Sequence, residues 1–128
     1  MTAWTTDELT KIAAADELQI TYQRRDGTLG RPRTIWVVRQ GDDLYVRSVN
    51  GRASAWFRGT QLRHEGHVQA GGVSKDVAFA DAGHDIDDQL DAAYRTKYHG
   101  YAANIVNSIV TPQARAATLR LAPQTPNM

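Results

Sequence analysis

The chain has 128 residues and no cysteine, 41% of its residues are hydrophobic, 23% are charged, and its net charge is +1. This length suffices for one domain with its own core, and the lack of cysteine excludes disulfides, thiolate metal sites and cysteine nucleophiles. The small net charge argues against a nucleic-acid partner, and no apolar run approaches the roughly 18 residues that would indicate a membrane span.

The amino-terminal stretch MTAWTTDEL lacks the basic and apolar segments of a secretory signal. We therefore expect a cytoplasmic protein. A single domain is predicted over residues 1–123. Residues 124–128, with the sequence QTPNM, are predicted to be a frayed tail.

The first half of the chain predicts one helix followed by three strands. Thr5 and Glu8 have the spacing of a capping box, so a helix is predicted over 5–15. Alternating residues in ELQITYQR, and β-branched and aromatic residues in RTIWVVRQ and LYVRSV, predict the strands. Turn residues separate the three segments, which indicates a meander.

The second half predicts two helices and three further strands. A short helix over 54–64 begins at a serine cap and is expected to end at Gly66. The segments HVQAGG and KDVAFA predict a hairpin with a two-glycine turn. Apolar residues at helical spacing predict a longer helix over 85–99, and ATLRLA predicts the last strand.

This order predicts a mainly β fold with flanking helices, in which six short strands form one antiparallel sheet. Closure of the sheet into a small barrel would remove its exposed edges. No strand-crossover-strand unit with a glycine fingerprint is present, so a dinucleotide-binding α/β fold is disfavoured. The residues expected in the core are Ile20, Ile35, Val37, Leu44, Val46, Val68, Val77, Leu90 and Leu119.

An anion site is predicted around the stretch GRASAWFRG. Nine of the twelve arginines lie between residues 24 and 63, and the arginine fork suits phosphate or carboxylate. A loop there leads into a helix whose first N–H groups attract anions. The residues expected to converge are Arg47, Arg52 and Ser54, with Trp56 and Phe57 beside them. The alternative is that the two aromatic residues belong to the core and the arginines are solvated.

Other catalytic chemistry finds little support in the sequence. His64 and His67 are three residues apart across a predicted helix end, and no third ligand accompanies them, so no metal site is predicted. Ser54 and Ser74 lack the G-x-S-x-G context of a serine hydrolase.

Several segments resemble a bacterial family of small proteins known as a domain of unknown function. They span nearly the whole chain and are ADELQI, TIWVVRQGDDLYVRSVNGRASAWFRG, QAGG, DAAYRTKY and TPQARAATLRL. More distantly, the chain is similar to the split β-barrel proteins that bind flavin mononucleotide (FMN) or the deazaflavin cofactor, including small deazaflavin-dependent nitroreductases. This resemblance implies a six-stranded antiparallel split barrel, and a homodimer, because such proteins commonly build their site across a dimer interface.

The resemblance also implies a set of cofactor-binding residues. The element GRPR precedes the second strand as in that family, and SVNGRASAWF matches its phosphate-contacting loop and the aromatic pair that opens a helix. The first turn reads RRDGTL where the deazaflavin pattern has Gly-Arg-Lys-Ser, and Ser54 and Ala55 replace an Asn-Pro pair. The implied contacts to FMN or a deazaflavin are Arg33, Arg47, Ser48, Arg52, Ser54 and Trp56.

The function implied is that of a flavin- or deazaflavin-dependent oxidoreductase that transfers a hydride to a small organic substrate. Tyr98 and Tyr101 follow the long helix, and either phenol is a candidate proton donor at the mouth of the pocket. The alternative for both rings is that they cap the barrel. The alternative for the whole protein is a non-catalytic ligand-binding or structural barrel without a cofactor.

Overall fold

A computed structural model describes residues 3–124 and shows a curled antiparallel half-barrel with flanking helices. The strands are β1 (Leu18–Tyr22), β2 (Arg33–Ile35), β3 (Val38–Gln40), β4 (Asp43–Arg47), β5 (Glu65–Ala70), β6 (Val73–Asp81) and β7 (Thr118–Pro123). The helices are α1 (Thr6–Ala14), α2 (Ala55–Arg63), α3 (Asp87–Lys97), α4 (Ala103–Asn107) and α5 (Pro112–Arg115). Within 3–124 no helix combines the length and apolar character that a bilayer crossing requires.

The sheet has seven strands rather than the predicted six. Its order is β2-β1-β5-β6-β7-β4-β3, and all neighbours are antiparallel. The segment predicted as one strand, RTIWVVRQ, is broken at Trp36 and Val37. Its first half pairs with β1 and its second half with β4, so one continuous segment supplies both edges of the sheet. The break is therefore the place where the sheet curls back on itself.

Contacts from distant residues hold this break. The hydroxyl of Tyr98 accepts a hydrogen bond from the Val37 N–H at 3.2 Å and donates to the Asp16 carbonyl at 2.7 Å. Lys97 Nζ donates to the Val37 carbonyl at 2.6 Å. A buried backbone N–H or carbonyl without a hydrogen-bond partner lowers the stability of the folded state. These bonds supply partners for Val37, which pairs with neither neighbouring strand.

Two apolar clusters lie on opposite faces of the sheet. The inner core is formed by residues of five strands with α1 and α2, and includes Leu9, Ile12, Ile20, Val37, Leu44, Val46, Phe57, Val68, Val77, Phe79, Leu119 and Leu121. The outer cluster lies between β3, β4 and α3 and comprises Val38, Tyr45, Leu90, Tyr94, Tyr98, Val106, Ile109 and Val110. Strand β4 contributes to both clusters, because Leu44 and Val46 face one and Tyr45 the other.

Eight of the nine residues expected in the core are buried, and Ile35 is half-buried against the inner core. The capping box of α1 is present, since Thr5 Oγ1 accepts from the Glu8 N–H and Glu8 accepts from the Thr5 N–H. The predicted 71–72 turn is also present, with both glycines at positive φ.

One local prediction was wrong. Helix α2 ends at His64, which adopts φ 57°, and not at Gly66. Gly66 lies in β5, where an added Cβ would stand 2.0 Å from the Thr21 carbonyl oxygen, so its requirement is close packing. Helix α4 was not predicted. Of the predicted tail, Gln124 donates its N–H to the Asp76 carbonyl at 2.9 Å, and residues 125–128 lie outside the described residues.

Candidate functional site

The chain between β4 and α2 forms a tight loop beside α5. The Ser48 N–H donates to the Ala117 carbonyl, which fixes the end of β4. Gly51 then adopts φ +74°, and an added Cβ there would lie 2.5 Å from Cγ of Gln113. Glycine is therefore required at this position for both its conformation and its small size. The loop ends at Ser54, whose hydroxyl caps α2 by accepting from the Phe57 N–H at 3.3 Å.

A cavity of about 260 Å³ opens next to this loop. The strand break and the end of β4 form one side, Ser54 and Trp56 at the start of α2 form another, and the segment around α4 closes the third. The lining residues are Thr34, Ile35, Trp36, Arg47, Ser48, Val49, Asn50, Ser54, Trp56, Ile105, Ser108 and Ile109. Four of the six residues predicted to bind a cofactor are thus brought together: Arg47, Ser48, Ser54 and Trp56.

Two serine hydroxyls of the cavity lining lie together before the start of α2. The hydroxyls of Ser48 and Ser54 are 2.8 Å apart. Each hydroxyl has one proton, and one proton suffices for the bond between them, so the other is free to donate to a ligand. Among residues 3–124, no acceptor is within hydrogen-bond distance of the Ala55 and Trp56 N–H groups. The start of α2, from which Ser54 and Trp56 line the cavity, therefore carries hydrogen-bond donors and the positive end of a helix dipole.

The guanidinium of Arg47 is engaged within the protein. Its side chain is fully buried; Nε donates to Thr118 Oγ1 at 3.0 Å, and Nη1 donates to Asp91 Oδ1 at 2.6 Å. Further bonds run from Nη1 to the Ile109 carbonyl and from Nη2 to the Asp87 carbonyl. Four of its five N–H groups thus have protein acceptors. A contact from Arg47 to a cofactor stays a prediction, and the geometry favours a structural function for this side chain.

Asp91 is the centre of this buried ionic network. Its carboxylate is 3% exposed and also accepts from Nε and Nη2 of Arg115. Burial alone would raise the pKa of Asp91, but the hydrogen bonds from Arg115 and Arg47 outweigh it and hold that pKa below its usual value. Since Arg47 also bonds the Ile109 carbonyl, the network ties β4, α3 and α5 to a residue of the cavity wall.

Two of the predicted cofactor ligands lie away from the cavity lining. The Arg52 guanidinium donates to the Ala116 carbonyl at 3.0 Å and lies 4.9 Å from the centre of the Phe57 ring. Arg33 is exposed on β2. Neither residue lines the cavity. Phe57 itself is buried in the inner core, in agreement with the simpler alternative for that residue.

The two tyrosines proposed as proton donors have different environments. Tyr98 is 1% exposed, and its ring stacks on Trp36 with centroids 3.8 Å apart and an interplanar angle of 4°. Its hydroxyl is hydrogen-bonded to the Val37 N–H and the Asp16 carbonyl, and burial raises the pKa of this phenol. Tyr101 is 42% exposed, and its ring centroid lies 5.0 Å from that of Trp36. Both rings therefore contact a residue of the cavity wall without lining the cavity themselves.

The sequence interpretation missed several residues of the cavity. Trp36 was assigned only to a strand, and the wall residues Ile105 and Ile109 were not considered. Ile105 lies in α4, but Ile109 lies two residues beyond the end of that helix, so no helical spacing within α4 pointed to both of them. Trp36 also offered no local signal, because its exposure to the cavity follows from the break in the strand.

A second, wider groove lies on the far side of the strand break. It has a volume of about 470 Å³ and is bounded by β3, α1 and α3. Lys97 lies at this groove, where burial lowers its pKa to about 8 even though Asp16 opposes the shift. Its ammonium donates to the Val37 carbonyl, so the residue has a structural partner.

The two histidines considered as metal ligands line neither the 260 Å³ cavity nor the 470 Å³ groove. His64 caps α2, and His67 is on β5 with Nδ1 at 2.9 Å from Asp76 and Nε2 at 2.7 Å from Ser74. Within the part of the chain that the structure describes, no three His, Asp or Glu side chains form a group suited to a metal ion.

Comparison with solved structures shows the split-barrel-like fold. The heme storage protein HutZ of Vibrio cholerae is 11% identical with a TM-score of 0.67, over 94% of this chain and 91% of that chain. An F420 reductase is 12% identical with a TM-score of 0.58, over 91% and 92%. An FAD-binding protein of Mesorhizobium loti is 15% identical with a TM-score of 0.55, over 97% and 93%.

These similarities are structural and not close in sequence, and no curated protein matches the chain. A family profile described as "Uncharacterized protein conserved in bacteria (DUF2255)" matches residues 8–121, so the chain belongs to this bacterial family.

Proposed function

We propose that the protein binds FMN or a deazaflavin in the 260 Å³ cavity and acts as an oxidoreductase on a small organic substrate. The observation that carries this proposal is the arrangement of the cavity lining. Within residues 3–124 the first N–H groups of α2 have no acceptor, one hydroxyl proton of the Ser48–Ser54 pair is free, and Trp36 and Trp56 line the same cavity. A phosphate-bearing planar cofactor needs an anion site at one end and an apolar or aromatic surface for its ring.

The residues present fit such a cofactor. Its phosphate would be held by the free hydroxyl proton of the Ser48–Ser54 pair and by the first N–H groups of α2. Its ring system would lie against Trp36, Trp56 or Ile105. The cofactor supplies the hydride, while the protein binds and orients it. That one similar structure is an F420 reductase and another an FAD-binding protein supports this class of ligand.

A haem is a poorer fit to this cavity, although one similar structure is a heme storage protein. Haem iron in proteins is held by histidine, cysteine, methionine or tyrosine side chains. None of the twelve residues that line the cavity is of these types. The flavin class is therefore favoured over haem at this site.

The size of the cavity supports the proposal that the protein acts as a homodimer. Pockets that enclose a small ligand usually have roughly 300–1,000 Å³, and one chain provides about 260 Å³. The rim residues Val49 and Ile105 are each 46% exposed, which leaves an apolar surface beside the opening. A second copy placed there would enlarge and close the site.

Of the two candidate proton donors, the geometry supports Tyr101. The Tyr98 hydroxyl already donates to a backbone carbonyl, and its ring is buried. Tyr101, in contrast, is 42% exposed. Tyr101 is therefore the phenol that a substrate can reach.

Titration of FMN, and separately of the deazaflavin, into the purified protein tests this proposal. Because Trp36 and Trp56 line the cavity, binding should quench tryptophan fluorescence. Replacement of both Ser48 and Ser54 by alanine removes the shared pair and should weaken FMN by about 1.5–3 kcal/mol, the usual worth of a hydrogen bond to a charged group, whereas Ser48→Ala alone leaves the Ser54 proton free and should have a smaller effect. Ser74→Ala, on the outer face of the β5–β6 hairpin, is the matched control and should bind as the wild type does.

The same titration separates the remaining alternatives. Arg52→Ala should lower FMN affinity by a similar amount if Arg52 reaches the phosphate, and leave it unchanged if its contacts with Ala116 and Phe57 persist. Tight binding without any cofactor reduction by hydride donors would favour the alternative of a non-catalytic binding protein. Absence of binding for both cofactors at high concentration would contradict the proposal.

A further inference from the structure

Four aromatic rings form a connected group beside the cavity. The Tyr94 and Tyr98 rings have centroids 6.2 Å apart, Tyr98 stacks on Trp36 at 3.8 Å, and Trp36 lies 5.0 Å from Tyr101. Trp36 lines the cavity, and Tyr101 reaches the surface. We propose that Trp36 and Tyr101 form a one-electron relay that carries oxidising equivalents from the cavity to the protein surface.

The end point of the relay is determined by where a phenol can release its proton. Oxidation of a tyrosine to a neutral radical requires loss of the hydroxyl proton. The Tyr98 hydroxyl faces backbone carbonyls, which do not take up a proton, and burial raises its pKa. The Tyr94 hydroxyl is buried without a hydrogen-bond partner among the described residues, and burial raises its pKa as well. Tyr101 is 42% exposed, so water can accept its proton.

The reaction has two balanced steps. In the first, Trp36 gives one electron to an oxidant in the cavity and becomes a radical cation. In the second, Tyr101 returns one electron to Trp36 and releases its phenolic proton to water, which leaves a neutral tyrosyl radical at the surface. The oxidant has gained one electron, Tyr101 has lost one electron and one proton, and Trp36 is restored.

The chemical class of the oxidant rests on the proposed function, because a photo-excited flavin in the cavity is a one-electron oxidant of tryptophan. The relay itself does not depend on that assignment, since any oxidant that reacts with Trp36 starts it. Its consequence is that a reductant in solution can repair oxidative damage at the site without entering the cavity.

Pulse radiolysis of the protein without added cofactor tests the relay directly. Azide radicals oxidise tryptophan rapidly, and the tryptophanyl and tyrosyl radicals have separate absorption bands. In the wild type, the tyrosyl signal should rise as the tryptophanyl signal decays, at a rate independent of protein concentration. Both Trp36→Phe and Tyr101→Phe should lose this rise.

Two matched variants complete the design. Trp56→Phe removes the other tryptophan of the cavity, whose nearest aromatic neighbour is Phe57 at 6.1 Å between centroids, and should retain the rise. Tyr98→Phe keeps the stacked ring but deletes the buried hydroxyl, and should also retain it. A tyrosyl rise that persists in Tyr101→Phe, or that is lost in Tyr98→Phe, would overturn the proposal.

The outcome separates the relay from the proposed cofactor. If the azide experiment succeeds and FMN does not bind, the relay stands and the flavin assignment fails. If FMN binds and Tyr101→Phe leaves the tyrosyl rise intact, the cofactor site stands and the relay fails. Because Tyr101 is exposed, its phenylalanine variant should fold as the wild type does, and a thermal unfolding curve checks this.

Discussion

The inner core and the outer cluster are built from different interactions on the two faces of one sheet. The inner core consists of aliphatic and aromatic side chains, and strand alternation places most of those that the strands contribute. The outer face adds to its apolar cluster a buried arginine, a buried aspartate and a tyrosine hydroxyl bonded to the backbone. Burial of apolar surface stabilises the inner core, and this effect does not depend on the orientation of the groups. The outer face is stabilised in addition by polar groups that each require a particular hydrogen-bond or ionic partner. The two faces should therefore respond differently to mutation and to pH.

The largest effect is expected from Asp91→Ala. This change removes the closer of the two carboxylates beside Arg47, whose side chain is fully buried, and leaves Asp87 Oδ1 at 3.7 Å from Nη2 as the remaining counter-charge. Breaking a buried ion pair in this way costs about 3–5 kcal/mol of unfolding free energy. Urea unfolding measures it. Asp42→Ala is the control, because Asp42 is 93% exposed and its pair with Arg39 should contribute under about 1 kcal/mol. Equal losses in the two variants would contradict the comparison.

A core truncation on the inner face should cost somewhat less. Leu119 is fully buried in the inner core, and Leu119→Ala removes apolar volume without leaving a charge. We expect a loss of about 3 kcal/mol in urea unfolding, within the usual range for leucine truncation. The loss should be the same at neutral and at acidic pH. A loss that varies strongly with pH would show that the inner core is coupled to the ionic network.

Deletion of the Tyr98 hydroxyl should have an intermediate effect. Tyr98→Phe keeps the stack on Trp36 but leaves the Val37 N–H at the strand break without its acceptor. An unsatisfied buried donor costs about 1–3 kcal/mol. Tyr101→Phe should change stability by less than about 0.5 kcal/mol, as exposed substitutions generally do. Thermal unfolding of both variants gives the comparison, and a smaller loss for Tyr98→Phe than for Tyr101→Phe would refute this account of the break.

The smallest expected effect is a change in the pH dependence of stability. The pKa of Asp91 is lowered in the folded protein, so the unfolded protein binds the proton more readily. Its contribution to stability is therefore complete above about pH 4, the ordinary pKa of aspartate, and is lost as the pH falls through the lowered value. Asp91→Asn cannot titrate and should show a shallower loss of stability towards acid. Leu119→Ala should keep the slope of the wild type, and a wild-type slope in Asp91→Asn would show that other groups dominate.

The inner core could be predicted from the sequence because its pattern is local. Period-two alternation places Ile20, Leu44 and Val46 on one face whatever the rest of the chain does, and all three are buried. The same pattern could not reveal the break in RTIWVVRQ. The residues there favour a strand throughout, and the interruption is held by Tyr98, 61 residues away in the sequence.

The candidate site was predictable in part for the same reason. Ser48, Ser54 and Trp56 lie within nine residues, so a loop between a strand and a helix had to bring them near one another. Arg47 looked like an anion ligand because its partner Asp91, 44 residues away, has no pattern that links it to Arg47. Trp36 was missed because its place in the cavity wall depends on the closure of the sheet.

The position of β7 in the sheet has a consequence for synthesis on the ribosome. This strand is the last in chain order, yet it pairs with β6 on one side and β4 on the other. Before residues 118–123 leave the exit tunnel, the nascent chain can form the sheet β2-β1-β5-β6 and the hairpin β3-β4, which are then joined by the chain at Trp36 and Val37 but by no strand between β6 and β4. Both pieces then present unpaired edges. The nascent protein must therefore remain open until its final strand emerges, and a chaperone that covers exposed edges would act in this interval.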